Sequence, residues 1–139
     1  MHSTDVSAPP WERLALDLGD ALIFIDTEGT IRVWNAMAAA LFGFSAEEAV
    51  GQSVDLIIPA HLREAHWRGF RHAVTAGHTR SREVRTTRGV HKQGRKLYVD
   101  MSFAIVCDEQ GKALGSVAVA RDATERYLAQ LAARQRPAG

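Results

Sequence analysis

RKLYVDMSFAIVCDEQGKALGSVAVAR, residues 95–121, reads as two long strands and the loop between them. Leu97, Val99, Met101, Phe103 and Ile105 hold one parity without a break, opposed by Asp100 and Ser102. Apolar residues at a period of two mark a strand with one face in a core. Asp108-Glu109-Gln110-Gly111-Lys112 supplies a polar turn, and the chain returns from Leu114 to Arg121. On that return Val117 and Val119 share one face, and Ser116, Ala118 and Ala120 the other. Three small residues in a row either leave room for a planar group or let a helix pack closely. A further strand over 82–88, joined through Lys92-Gln93-Gly94, completes an antiparallel run of three.

Upstream of this run the period changes. Leu62, His66, Phe70 and Ala73/Val74 recur at i, i+4, i+8 and i+11/12, one face of a helix over 59–74. Arg63, Glu64, Arg68, Arg71 and His72 take the remaining circumference, and Ala76-Gly77 ends the helix. Before it, Val54 to Ile58 is a helical turn closed by Pro59, and Ser45-Ala46-Glu47-Glu48 is a capping box opening a short helix that ends at Gly51. Another helix covers Ala36 to Phe42, between the cap Asn35 and the stop Gly43. Ala21–Ile25 and Ile31–Val33 flank the turn Thr27-Glu28-Gly29-Thr30 as a hairpin. Two strands, a helix block and three strands define an α+β domain with helices on one face of an antiparallel sheet. A pocket is expected between the helix of His66 and that sheet.

The length of 139 residues suits one domain with its own core. Residues 1–10, ending Ala8-Pro9-Pro10, read as a disordered lead-in; 11–122 as the domain with an N-terminal flanking helix; and 123–139 as a C-terminal flanking helix and tail. Trp11, Leu14, Ala15 and Leu18 form one flanking stripe, and Leu128, Leu131 and Ala132, within a helix from Thr124 to Arg136, form the other. Each stripe suits either the domain's own sheet or a second subunit. A net charge of +1 provides no field for a polyanion, so neither nucleic acid nor a membrane is an expected partner. The single cysteine, Cys107, excludes a disulfide framework and a thiolate cluster. No basic-then-apolar leader and no apolar run of about 20 residues occurs, so the chain is expected in the cytoplasm.

His66 is the residue with chemistry to explain. A titratable ring on an apolar helix face needs a hydrogen-bond partner or a ligand, and both readings stand at this point. His61 and His66 are five apart and His66 and His72 six, neither being the i,i+4 pair with which a helix grips zinc. Cys107 and the serines have no base partner, and neither a Gly-x-Ser-x-Gly elbow nor a phosphate loop occurs. Enzyme activity is not expected.

Taken together, ALIFIDTEG (21–29), IRVWN (31–35), LFGFSAEEAVG (41–51), IIP (57–59) and RDATER (121–126) resemble PAS domains of the S-box type. The last resembles the family's Asp-Ile-Thr ending, with Ala123 at the aliphatic position. The resemblance spans residues 14–128 and implies a five-stranded antiparallel sheet, a helical block on one face and flanking terminal helices, in a sensory rather than an enzymatic module. The Asn-Cys-Arg-Phe-Leu-Gln motif of flavin photoreceptors does not occur, so flavin photochemistry is not expected.

Within the family the chain is most similar to the oxygen-sensing haem PAS domains of nitrogen-fixation histidine kinases. Counted from Pro59, PAHLREAH (59–66) puts His66 at their proximal iron-ligand position. Counted back from Gly94, Arg85 falls at their distal arginine, although Gln93-Gly94 stands where the family has Asp-Gly. Met101 and Phe103 match two distal apolar positions, Ala118 a small residue where the haem plane passes, and Leu62 and Phe70 share the face of His66. The resemblance implies b-type haem (heme b) on His66, with O2, CO, NO or redox state as the signal. Met101 could add a soft sixth ligand. Two other readings stay open: a cofactor-free dimerisation or interaction module, and a pocket for a small organic metabolite contacted by His66 and Arg85. The flanking helices imply a homodimer. With no effector domain in the given sequence, output is expected through an unidentified signalling protein, unless the sequence is a fragment of a longer chain.

Overall fold

The computed structural model describes residues 8–79 and 81–135, so most of the expected lead-in and the end of the tail lie outside it. One antiparallel sheet carries five strands, β1 (Ala21–Asp26), β2 (Ile31–Trp34), β3 (Arg85–Val90), β4 (Lys96–Cys107) and β5 (Ala113–Asp122), in the order β2-β1-β5-β4-β3. The first and last strands are thus neighbours, from Ala21 opposite Ala120 to Asp26 opposite Gly115. The helices are α1 (Trp11–Leu16), α2 (Ala36–Phe42), α3 (Ala46–Ala49), α4 (Arg63–Ala76) and α5 (Thr124–Arg134), with 3₁₀ turns at Val54–Ile57 and Ala60–Leu62.

The local signals act as their chemistry requires. Asn35 caps α2 by accepting from the Ala38 N–H, and Gly43 ends it in the left-handed region at φ 83°. Ser45 and Glu48 form the reciprocal capping box of α3. The amide of Asn35 also does more than cap. It accepts from the Leu22 N–H at 2.9 Å and donates to the Ala15 and Asp20 carbonyls at 3.1 and 3.0 Å, so β1, the exit of α1 and the start of α2 meet on one buried side chain. Around it Ile23, Ile25, Ile31, Trp34, Phe42, Val54, Ile57, Leu97 and Val99 form the core.

Some boundaries differ from expectation. β3 begins at Arg85 rather than 82, because its last rung, Arg85 opposite Met101, is followed by an exposed polar stretch with no apolar parity to bury. Beyond that rung the free edge of β4 is closed by the Thr79 hydroxyl, which accepts from the Ile105 N–H at 2.9 Å. α1 stops at Leu16, and Trp11, Leu14 and Leu18 of its expected stripe are 72%, 51% and 40% exposed. α5 ends at Arg134, and Arg136 lies outside the described residues.

α5 packs on the face of the sheet away from the core; of its stripe Leu128 and Ala132 are exposed and Leu131 is half-buried. Tyr127 stacks on Tyr98 with 4.1 Å between ring centroids. The Thr124 hydroxyl accepts from the Tyr98 N–H at 3.0 Å, and the Ala123 N–H donates to the Tyr98 carbonyl at 2.7 Å. Arg126 forks onto both oxygens of Asp100, which also accepts from the Thr86 hydroxyl at 2.7 Å. Arg126, and then Thr86, hold the Asp100 carboxyl at a pKa of about 2.

Two predictions follow from these contacts. Asn35→Ala leaves two N–H groups and two carbonyls without their partner and should lower the unfolding free energy by on the order of 3 kcal/mol in a denaturant titration. Because the folded-state pKa of Asp100 lies below its ordinary value of 3.8, its stabilisation is present above that pH and lost as pH falls toward 2. Thermal melts should therefore show Arg126→Ala destabilised at neutral pH and losing less stability than wild type on acidification; parallel pH profiles would count against the clamp.

Candidate functional site

The small face of β5 and the standoff of α4 leave a cavity of about 790 Å³ between helix and sheet, within the ~300–1,000 Å³ typical of cofactor and small-molecule sites. Ile23 and Ile25 of β1, Val99 and Met101 of β4, and Ser116 and Ala118 of β5 form its floor. Leu62, His66, Phe70 and Ala73 line it from the helix side. Of the Ser116/Ala118/Ala120 face, Ser116 and Ala118 line the cavity, whereas Ala120 is buried in the core outside that lining.

All seven residues singled out in the sequence, Leu62, His66, Phe70, Arg85, Met101, Phe103 and Ala118, line this one cavity. They differ in depth. Met101 and Ala118 are buried. Phe103 keeps the cavity parity yet is 46% exposed, because β3 has already ended and the cavity opens there. Arg85 is paired with Met101 in the ladder, so it stands on the cavity face and not on the outer face where α5 lies. Its side chain is 74% exposed and faces Glu83 at 3.7 Å, which places the cation at the mouth.

His66 is half-buried, with its Nδ1 atom fully buried and without a hydrogen-bond partner. The reading in which the ring is satisfied by a carbonyl or carboxylate is not what Nδ1 shows. The nearby carboxylate, Asp55, instead accepts from Trp67 Nε1 at 2.8 Å. Phe70 stacks on the imidazole at 6.1 Å and 9°, and Trp67 meets it edge-on at 4.8 Å. Burial pushes the His66 pKa below the ordinary histidine value against the opposing charge of Asp55, so the ring is neutral at pH 7. A neutral imidazole on the lining of an apolar cavity is a good metal donor.

Trp67 and Asp55 were not legible as site residues. Trp67 lies one residue off the apolar stripe, and Asp55 is twelve residues away from it. The available signal was Trp67 and Phe70 at i,i+3, which sets two aromatic rings side by side on a helix. Cys107, at the end of β4, donates through Sγ to the Gly77 carbonyl at 3.3 Å and so ties the exit of α4 to the sheet. Among the described residues no three His, Cys, Asp or Glu side chains gather to hold a bare metal ion, and no helix is long and apolar enough to cross a membrane.

A strand order of 2-1-5-4-3 with a helix-covered cavity on one face, together with the motifs above, defines a sensory fold, and the family model of the PAS fold matches residues 17–128. The chain belongs to the PAS family. It is 31% identical over 106 residues to the oxygen sensor protein DosP of Escherichia coli, covering 73% of this chain and 13% of DosP. It is 43% identical over 47 residues to the sensor protein FixL of Bradyrhizobium diazoefficiens, covering 34% of this chain and 9% of FixL. The chain therefore spans only a small part of these relatives' length. A solved PAS domain from Colwellia psychrerythraea superposes with a TM-score of 0.72 at 25% identity, covering 84% of this chain and 96% of that one.

Proposed function

We propose that this PAS domain is a sensor that holds b-type haem through His66 and responds to a diatomic gas or to redox state. The observation that carries the reading is that His66 lines an apolar cavity whose other walls carry Met101, Phe103 and Ala118. The residues present fit the group: one neutral imidazole, a soft thioether on the facing wall at Met101, and small side chains at Ser116 and Ala118 where a flat body needs room. The similarity to an oxygen sensor protein supports the same reading.

Haem, when bound, supplies an iron with a coordination position open to a small ligand. The chain's part is to bind, orient and exclude water. His66 holds the metal, and Phe70 keeps the imidazole in one plane by stacking. Leu62, Met101 and Phe103 give the pocket its apolar wall, and Arg85 at the mouth offers a guanidinium to an anionic edge or a polarised ligand. The module binds and signals rather than catalyses. Its exposed Trp11, Leu14 and Leu18 fit a second copy of the chain, and its output passes to a signalling protein.

The test is an absorption spectrum of protein expressed with haem precursor, beside His66→Ala. The expected result is a Soret band that shifts on reduction and with carbon monoxide and disappears in the variant. Ala118→Leu, which narrows the cavity, should cut hemin uptake at least ~10-fold without lowering the melting temperature. Absence of any band after reconstitution with hemin overturns the haem reading in favour of a metabolite pocket or a cofactor-free module.

A further inference from the structure

The geometry points to Trp67 as the residue that aims His66, a positioning role that rests on the haem reading above. α4 fully buries a single side chain, Phe70, with Trp67 and Val74 partly buried against the core, so its rotation about its own axis rests on few apolar contacts. Trp67 fixes it. Its Nε1 donates to Asp55 Oδ1 at 2.8 Å, and its ring lies flush on Gly29, where a Cβ would stand 2.0 Å from the indole. Gly29 sits in the β1–β2 turn at φ 82°, so both the turn and the indole require glycine there.

The seat beneath Trp67 is itself braced. The Gly29 carbonyl accepts from the Val54 N–H at 3.1 Å, joining the hairpin turn to the 3₁₀ turn that carries Asp55. The Asp55 N–H donates to the Ser53 hydroxyl at 3.1 Å, and Arg63, from the first turn of α4, donates to the Asp55 carbonyl at 3.2 Å. Successive helix residues differ by about 100° around the axis, so a seated Trp67 dictates where His66 points. The indole edge also meets the His66 and Phe70 rings, at 4.8 and 5.7 Å. By engaging Asp55, Trp67 draws to itself the carboxylate near the imidazole, whose Nδ1 is left without a partner.

The experiment titrates hemin into the full chain as wild type, Trp67→Phe, Asp55→Ala and Asp55→Asn. Thermal melts confirm that each variant is folded. Trp67→Phe and Asp55→Ala should weaken hemin binding roughly 10- to 100-fold, the scale on which losing the support that orients a ligating histidine acts. Asp55→Asn keeps an acceptor for the indole and should bind within a few-fold of wild type. Unchanged binding in Trp67→Phe overturns the assignment. A second readout needs no hemin: the NMR cross-relaxation between the His66 and Phe70 rings should weaken in Trp67→Phe. If wild type takes up no hemin the haem reading falls, and this ring contact alone decides: its persistence in Trp67→Phe overturns the positioning role, and its loss sustains it.

Discussion

The buried amide of Asn35 uses both N–H groups and two acceptor positions within the protein, and the frame of the domain hangs on it. A fully satisfied buried polar group specifies geometry in a way that apolar packing does not, since every alternative arrangement strands a donor or an acceptor. Its reach is longer than its bonds. By fixing the start of α2 it fixes Phe42, whose carbonyl accepts from the Lys92 N–H at 2.8 Å and so anchors the β3–β4 hairpin. The ion pair of Lys92 with Glu48 on α3 holds the same hairpin from the other side. The far edge of the sheet is thereby tied to a side chain near its opposite edge.

The cavity exists because the two layers are held by different means. Strands meet through continuous ladders, whereas α4 touches down at few points: Phe70 in the core, Trp67 on its seat, and Cys107 at the exit. Burying one phenylalanine is worth roughly 2–3 kcal/mol, and a hydrogen bond to a charged acceptor about 1.5–3 kcal/mol. The polar contact is therefore as large a part of the helix's attachment as the apolar one. A ligand in the cavity would bury apolar surface that now lies open, and would stabilise the fold by mass action.

Most of the frame was legible in the residues. Asn35, Gly43 and the Ser45/Glu48 box fixed α2 and α3, and the apolar parity of β4 carried its register. Parity could not give depth: Phe103 has the correct face but lies where the cavity opens, a matter of where β3 stops. The aliphatic stripe of α5 suited either the sheet or a second subunit and did not reveal its docking, because the contacts that hold it are a tyrosine stack and an Arg–Asp fork with partners on β3 and β4. Leu62, His66, Phe70, Met101, Phe103 and Ala118 could be placed by face from helix and strand periods, whereas Arg85 came from the family resemblance alone. Trp67 with Asp55 was missed because the pair exists only once α4 has been laid across the β1–β2 turn.

Consecutive rungs of the β3–β4 ladder face opposite worlds. Arg85 and Met101 look into the cavity, while Thr86 and Asp100, one step along each strand, grip Arg126 of α5. A step along a strand is about 3.3 Å, so inside and outside are separated by a single peptide unit in each strand. In mechanical terms the sheet is a membrane one residue thick between a chamber and a lever, and a shift of one rung cannot occur without being felt at the other.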